Sequence, residues 1–292
     1  MKNCLIIDGM YMICKIYNGP MRFFTNSKQE HTGAVFGFLR SLLALKKKDE
    51  FKHSDIVVAW DRYPEHKYKI LPSYKPGRVK RSDDVLLMQQ IKRIEKLLSS
   101  LGVTQVFCDK NEADDVIASY IKQSEYDSYT IYSTDMDYAQ LVSDNVVLLS
   151  TKSNGDVVYY DISKVEELYS VTVDKVCIYR AFKGDKSDGL PGVKYVKDSI
   201  ICPIINDSSD IDELESKLDL SIKTHVKIKD FIPFAKINLD LATLRDDLSI
   251  TIINGELDMR EFENIIKELE FKSIIKSLDK IKESFTAEGF LK

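Results

Sequence analysis

The chain has 292 residues, a formal net charge of −4, and 44% hydrophobic against 30% charged residues, the mix of an ordinary globular protein with room for one large domain or two smaller ones. Its five cysteines (Cys4, Cys14, Cys108, Cys177 and Cys202) are odd in number and lack C-x-x-C spacing, which excludes a disulfide framework or a structural zinc site and fits a reducing compartment. Asp8 interrupts the first apolar run and no stretch approaches the roughly 18 apolar residues of a membrane span, so neither a signal peptide nor a membrane protein is expected.

In chain order, Cys4–Ile7 reads as a buried strand ending at Asp8, and residues 32–48 as a helix with Val35, Phe36, Leu39, Leu42 and Leu43 on one face. Asp55–Trp60 is a second strand, ending at Asp61. Residues 83–101 form a long amphipathic helix with Leu87, Ile91, Ile94, Leu98 and Leu101 as its stripe. Val103–Cys108 is a strand, Glu112–Lys122 a helix, and Thr130–Ser133 and Val146–Leu149 are strands. Strands alternating with helices imply an α/β domain around a mostly parallel sheet, over residues 1–150. From 151 to 292 an edge strand at Val157–Tyr160 gives way to mainly helical text: Ile162–Tyr169, Val173–Phe182, Ile211–Leu218, Leu239–Asp247 and Met259–Leu278.

Acidic residues recur where strands end. Asp8 follows CLII, Asp61 follows IVVAW, and Asp135 and Asp137 follow TIYST; Glu112, Asp114 and Asp115 open a helix, and Asp185 and Asp188 lie in AFKGDKSDGLPGV. Ligands of open parallel sheets bind outside the carboxyl ends of the strands, so these nine carboxylates are expected near one point. Such a cluster repels itself unless divalent cations neutralise it. Oxygen-only ligation suits magnesium or manganese, and two such ions about 4 Å apart can activate a water and stabilise the leaving oxygen of a phosphodiester. A lone strand-terminal Asp is more often a cap, and Asp114 and Asp115 alone would suit a helix N-terminus; the force of the reading lies in the set. Asp135–Asp137 is no calcium loop, since no glycine stands at the sixth position.

Between Arg62 and Arg81 there are seven basic residues and one acid, a net +6 with His66 neutral, leaving −10 for the rest. Tyr63, Tyr68 and Tyr74 lie among them. A basic track with interleaved aromatics holds single-stranded nucleic acid without sequence preference. Lys75 and Arg78 are spaced to share a helix face and to neutralise a phosphate. The plainer alternative is a solvated basic loop.

With LIIDG, TGAVFGFLRSL, VVAWD, SYKPGR, EADD, STDMD and GDKSDGLPGV in this order from Leu5 to Val193, the chain resembles the flap endonuclease and 5′-to-3′ exonuclease family, which includes the 5′-nuclease domain of bacterial DNA polymerases and stand-alone viral enzymes. The resemblance implies a PIN-like sheet flanked by helices, a helical arch at about 62–100, and a mostly helical DNA-binding region at 151–292 with a degenerate helix-hairpin-helix at about 178–205. It implies two Mg2+ ions, with Mn2+ as a substitute. Asp8, Asp61, Glu112 and Asp114 correspond to ligands of the first, and Asp115, Asp135, Asp137, Asp185 and Asp188 to those serving the second. Tyr74, Lys75 and Arg78 match the motif whose lysine and arginine contact the scissile phosphate and whose tyrosine stacks on a nucleotide. Lys67, Lys69, Lys80, Arg81, Gly192, Lys194 and Lys197 are expected as further nucleic-acid contacts.

Two departures stand out. Gly189 replaces the Asn usual after Ser-Asp, and the hairpin glycines give way to Tyr195 and Lys197 in Gly192–Lys197. The expected function is a structure-specific 5′ nuclease on DNA flaps, 5′ ends or RNA primers, acting as a cytoplasmic monomer (in a host cell if viral) on DNA, with RNA–DNA hybrids as a further substrate and replication proteins as partners the sequence does not identify. A PIN-type ribonuclease and an idle flap-binding scaffold are the alternatives; the first usually lacks the GDKSDG segment, and the second would gain nothing from nine carboxylates.

Overall fold

The computed structural model describes residues 2–76, 85–152 and 156–286. In chain order these form β1 (Asn3–Asp8), α1 (Gly9–Tyr17), α2 (Gly33–Lys46), β2 (Asp55–Trp60), α3 (Glu65–Ile70), α4 (Val85–Ser100), β3 (Thr104–Phe107), α5 (Ala113–Gln123), β4 (Ser128–Tyr132), β5 (Val146–Thr151) and β6 (Val157–Tyr160). There follow α6 (Ile162–Tyr169), α7 (Val176–Lys183), α8 (Asp198–Asn206), α9 (Ile211–Ser216), α10 (Lys223–Ala242), β7 (Thr251–Ile253), α11 (Met259–Glu268), α12 (Lys272–Ile275) and α13 (Leu278–Thr286).

The chain divides into two compact units, each discontinuous in sequence: residues 1–62, 79–133 and 246–292 form the first, and 63–78 with 134–245 the second. The expected division at residue 150 follows sequence order and does not anticipate this threading.

In the first unit the strand order is β4-β1-β2-β3-β7. The first four are parallel, in registers that include Asp8↔Ala59, Ile7↔Tyr132 and Trp60↔Phe107. Strands buried on both faces need continuous apolar text, which CLII and IVVA supply. The edge strand β7 pairs antiparallel with β3, Phe107 opposite Thr251. Other ties hold the C-terminal segment in this unit: the Asp258 amide donates to the Ser100 carbonyl at 2.9 Å, Lys96 pairs with Glu261 at 2.6 Å, and the Phe36 and Phe271 rings meet edge to face at 5.1 Å.

The second unit holds the antiparallel pair β5–β6, in register Leu148↔Tyr160, and helices α3 and α6–α10. Its longest helix, α10, buries Ile228, Ile232, Ala235, Asn238 and Leu241. Asn238 Nδ2 donates to the Ala181 and Pro191 carbonyls, each at 2.8 Å, fixing the segment after α7. Tyr74 is packed with Leu190 and Leu241, and Tyr68 and Leu71 lie against them, so the segment after α3 is part of this unit's core. Among the described residues, no helix is long and apolar enough to cross a membrane.

Candidate active site

In the first unit the parallel registers bring the ends of β1 and β2 to the same edge of the sheet. Asp8 closes β1 and caps α1: its Oδ1 accepts the Tyr11 amide at 2.8 Å, and its Oδ2 accepts the hydroxyl of the fully buried Ser133 at 3.1 Å. Asp61 follows β2, and its Oδ1 accepts the Ala113 amide at 2.7 Å, which ties it to the start of α5. Glu112 precedes that helix, and Asp114 and Asp115 occupy its first turn, where the helix dipole favours negative charge. Asp114 Oδ1 accepts the Asp115 amide at 2.7 Å. Asp8, Glu112, Asp114 and Asp115 are all buried. This is more acid than helix capping needs, and buried carboxylates demand compensation.

The second unit carries the other four carboxylates. Asp135 caps a 3-10 turn over Met136–Leu141, its side chain accepting the Asp137 amide at 3.0 Å. Arg180, on α7, reaches the carboxylate of Asp137 and that of Asp185, the latter at 3.2 Å. Asp185 Oδ1 also accepts the Ser187 amide at 2.7 Å and the Ser187 hydroxyl at 2.6 Å. Burial works to raise the Asp185 pKa, but the Ser187 hydrogen bonds and the Arg180 charge outweigh it and leave the carboxyl below its ordinary range. Asp188 accepts the Tyr74 hydroxyl at 3.0 Å and lies 4.0 Å from Lys75 Nζ, while its carbonyl accepts the Lys75 amide at 2.9 Å. Gly189, at φ +78°, has Pro76 Cδ 2.8 Å from where a Cβ would stand, so the Asn usual at this place has no room.

Several expectations for the basic segment change. Lys75 has φ +50° and lies in a turn after α3, and Arg78, with which it is expected to share a helix face, lies outside the described residues. Tyr74 is only 3% exposed, its ring packed in the core and its hydroxyl on Asp188, so the ring has no face open to a nucleotide. Lys67 is 2% exposed with its Nζ 5.8 Å from the Tyr74 ring centroid, and is no surface phosphate contact. The aromatic that does reach solvent is Tyr63, 55% exposed and stacked on Tyr68 at 4.9 Å. Lys69 is exposed and pairs with Glu65 at 3.1 Å. Arg78, Lys80 and Arg81, and with them part of the expected arch, lie outside the described residues.

Helices α7 and α8 flank residues 184–197, where the hairpin is expected. Gly192 has a packing role: a Cβ there would stand 2.0 Å from the Lys183 carbonyl oxygen. Lys194 and Lys197 are exposed. Tyr195 keeps a left-handed backbone, φ +61°, with its side chain 85% exposed and Lys227 Nζ 4.8 Å from the ring centroid.

Among the described residues, no three His, Cys, Asp or Glu side chains already converge to hold an ion. The donor chemistry nonetheless fits a hard divalent cation: the candidates are carboxylates only, and in the first unit four of five are buried. Sequence reasoning missed two residues. Ser133 orients Asp8, and its signal was its place before Asp135 in STDMD. Arg180 compensates Asp137 and Asp185, and its signal was an arginine five residues ahead of Asp185, though Lys183 between them makes it ambiguous.

The parallel sheet flanked by helices is a fold shared with solved structures. The T5 D15 protein, crystallised with metal ions, superposes with a TM-score of 0.64 at 18% identity, covering 97% of this chain and 99% of that one. Human GEN1, solved with Holliday junction DNA, gives 0.64 at 14% identity over 97% of this chain and 71% of that one. Residues 3–170 match the family model described as 5′-3′ exonuclease, N-terminal resolvase-like domain, and the chain belongs to this family. The 5′-3′ exonuclease of Aquifex aeolicus is 30% identical over 96% of each chain. The thermostable DNA polymerase I of Thermus thermophilus is 29% identical over 93% of this chain; the chain spans only 32% of that protein's length.

Proposed function

We propose that the chain hydrolyses phosphodiesters of DNA at 5′ flaps and 5′ ends, using two Mg2+ ions for which Mn2+ substitutes. The observation that carries this is the acid set of the first unit: four buried carboxylates at strand and helix ends, in a chain of the 5′-3′ exonuclease family. By the resemblance, Asp8, Asp61, Glu112 and Asp114 serve the first ion, and Asp115, Asp135, Asp137, Asp185 and Asp188 the second. The bound ions supply charge neutralisation and a nucleophilic water at neutral pH. Ser133 and the Tyr11 amide orient Asp8, and the Ala113 amide orients Asp61, so these carboxylates are aimed before any ligand arrives. Lys75 neutralises the scissile phosphate, and Arg78 assists; Tyr63 and Lys69 supply a stacking face and a backbone contact.

The test is cleavage of labelled flap, nicked, blunt and RNA–DNA hybrid substrates with Mg2+, and with chelator. Cleavage from the 5′ side that needs the ion, and that Asp114→Asn lowers by orders of magnitude while substrate binding persists, is the expected result. Full activity in excess chelator sinks the mechanism.

A further inference from the structure

The carboxylates of the second unit carry a cation of their own. Arg180 projects from α7 with its side chain 14% exposed, and one guanidinium nitrogen, Nη2, contacts both Asp137 Oδ1 and Asp185 Oδ2. Asp137 lies in the 3-10 turn after Asp135, far from Arg180 in the chain, so that pairing is tertiary, while Asp185 follows Gly184 at the end of the helix that carries Arg180. Burial disfavours the charged guanidinium, yet Asp137, Tyr169 and Asp185 more than offset it and hold its pKa above the ordinary value. An arginine sheds no proton at any accessible pH, so the compensation is fixed.

We propose that Arg180 is a resident cation of the Asp137–Asp185 pair, which a divalent ion must displace before these carboxylates can ligate it. The proposal rests on reading the two aspartates as metal ligands. Asp185 Oδ1 is engaged by Ser187, so the oxygen facing the guanidinium, Oδ2, is the one left for an ion, and a carboxylate–ion distance of about 2 Å would set two positive groups against each other at short range. Arg180 therefore acts as a positioning residue. It keeps the acids ordered and neutralised in the ion-free protein, and it weakens occupancy of that set until the guanidinium swings away. Removing one partner of a buried ion pair leaves an uncompensated charge, so an Arg180 variant should depend on divalent ions for stability in a way the wild type does not.

The experiment measures Mn2+ bound to the whole chain without nucleic acid, from the electron paramagnetic resonance of the free ion, together with melting temperature in chelator and in Mn2+. The variants are Arg180→Gln, Arg180→Lys and Asp185→Asn. Arg180→Gln is expected to bind the weaker Mn2+ at least tenfold more tightly, to melt lower than wild type in chelator, and to gain more from Mn2+. Arg180→Lys, which keeps the charge, should stay close to wild type. Unchanged or weaker Mn2+ binding by Arg180→Gln, with Asp185→Asn losing that ion, overturns the proposal while leaving the ligand assignment intact. Asp185→Asn binding Mn2+ as the wild type does removes the ligand assignment and the proposal with it. Should Arg180→Gln be unfolded in chelator, folding on addition of Mn2+ supports the proposal, and failure to fold at saturating Mn2+ overturns it.

Discussion

At the scale of single residues, charge and backbone conformation decide what can be tested. Lys75 is buried beside Asp188 with its Nζ 4.9 Å from the Tyr74 ring centroid, a place where a cation keeps much of its field. Lys75→Ala is expected to lower single-turnover cleavage by on the order of 10²–10³ with little change in DNA affinity; an unchanged rate would show the lysine to be structural. At Tyr195 the left-handed backbone costs a non-glycine residue about 1 kcal/mol. Tyr195→Gly is therefore expected to leave urea stability unchanged or slightly raised. If the exposed ring and Lys194 and Lys197 grip duplex, it should also weaken duplex binding, and replacing both lysines by alanine should reduce the salt slope by roughly two. Tighter duplex binding by Tyr195→Gly would instead assign the contact to backbone amides. Lys46 offers a pH signal. Burial, opposed by Asp55, brings its pKa down to about 8. Its folded pKa lies below the unfolded one, so folding disfavours the proton it carries: the stability cost is full below pH 8 and fades as pH rises toward 10.5. The stability difference between Lys46→Met and wild type in urea unfolding is expected to shift in favour of wild type across that window.

Among the elements, α10 carries the clearest consequence. Asn238→Ala removes both donations to the carbonyls of Ala181 and Pro191 and leaves buried acceptors unpaired, a loss of roughly 1–3 kcal/mol that should appear as a lower melting temperature. The same helix shows what the sequence hid. Only its end was anticipated, because Pro233 lies inside it and lysines crowd its first turns, which masks the period of Ile228, Ile232 and Ala235. Pro203 hid α8 in the same way. By contrast β1, β2, α2 and α4 were legible: parallel strands buried on both faces and helices with a stripe toward the sheet leave strong periodic signals. The expected helix over Met259–Leu278 breaks at Glu270, where φ is +60° and the carboxylate accepts the Ser27 amide at 3.0 Å. A local tertiary contact of this kind leaves no mark on periodicity. For the site, the acids of the first unit were legible because they stand where a strand ends or a helix begins; Arg180 was not, because its pairing with Asp137 joins residues far apart in sequence.

For the whole molecule, the threading of two units by one chain matters most. Residues 1–150 look like a domain in sequence order, yet the first unit also needs residues 246–292, which bring β7, α11, α12 and α13. A fragment ending at residue 150 is expected to lose near-ultraviolet circular dichroism and to bind a hydrophobic dye, while the full chain does neither. A native-like spectrum from the fragment would mean that the last segment is dispensable. The family match over residues 3–170 therefore marks shared sequence and should not be taken as a cutting point.

The late pairing of β7 with β3 has a consequence for how the protein is made. Thr251 joins Phe107 about 140 residues after it in the chain. At a synthesis rate of roughly 5–20 residues per second, the free side of β3 waits on the order of ten to thirty seconds on the ribosome before its partner emerges. Through that interval a nascent strand presents open amides and carbonyls to any other extended segment nearby. The birth of the protein is thus its most exposed moment, and chaperone attachment should be heaviest on chains stalled between these two strands.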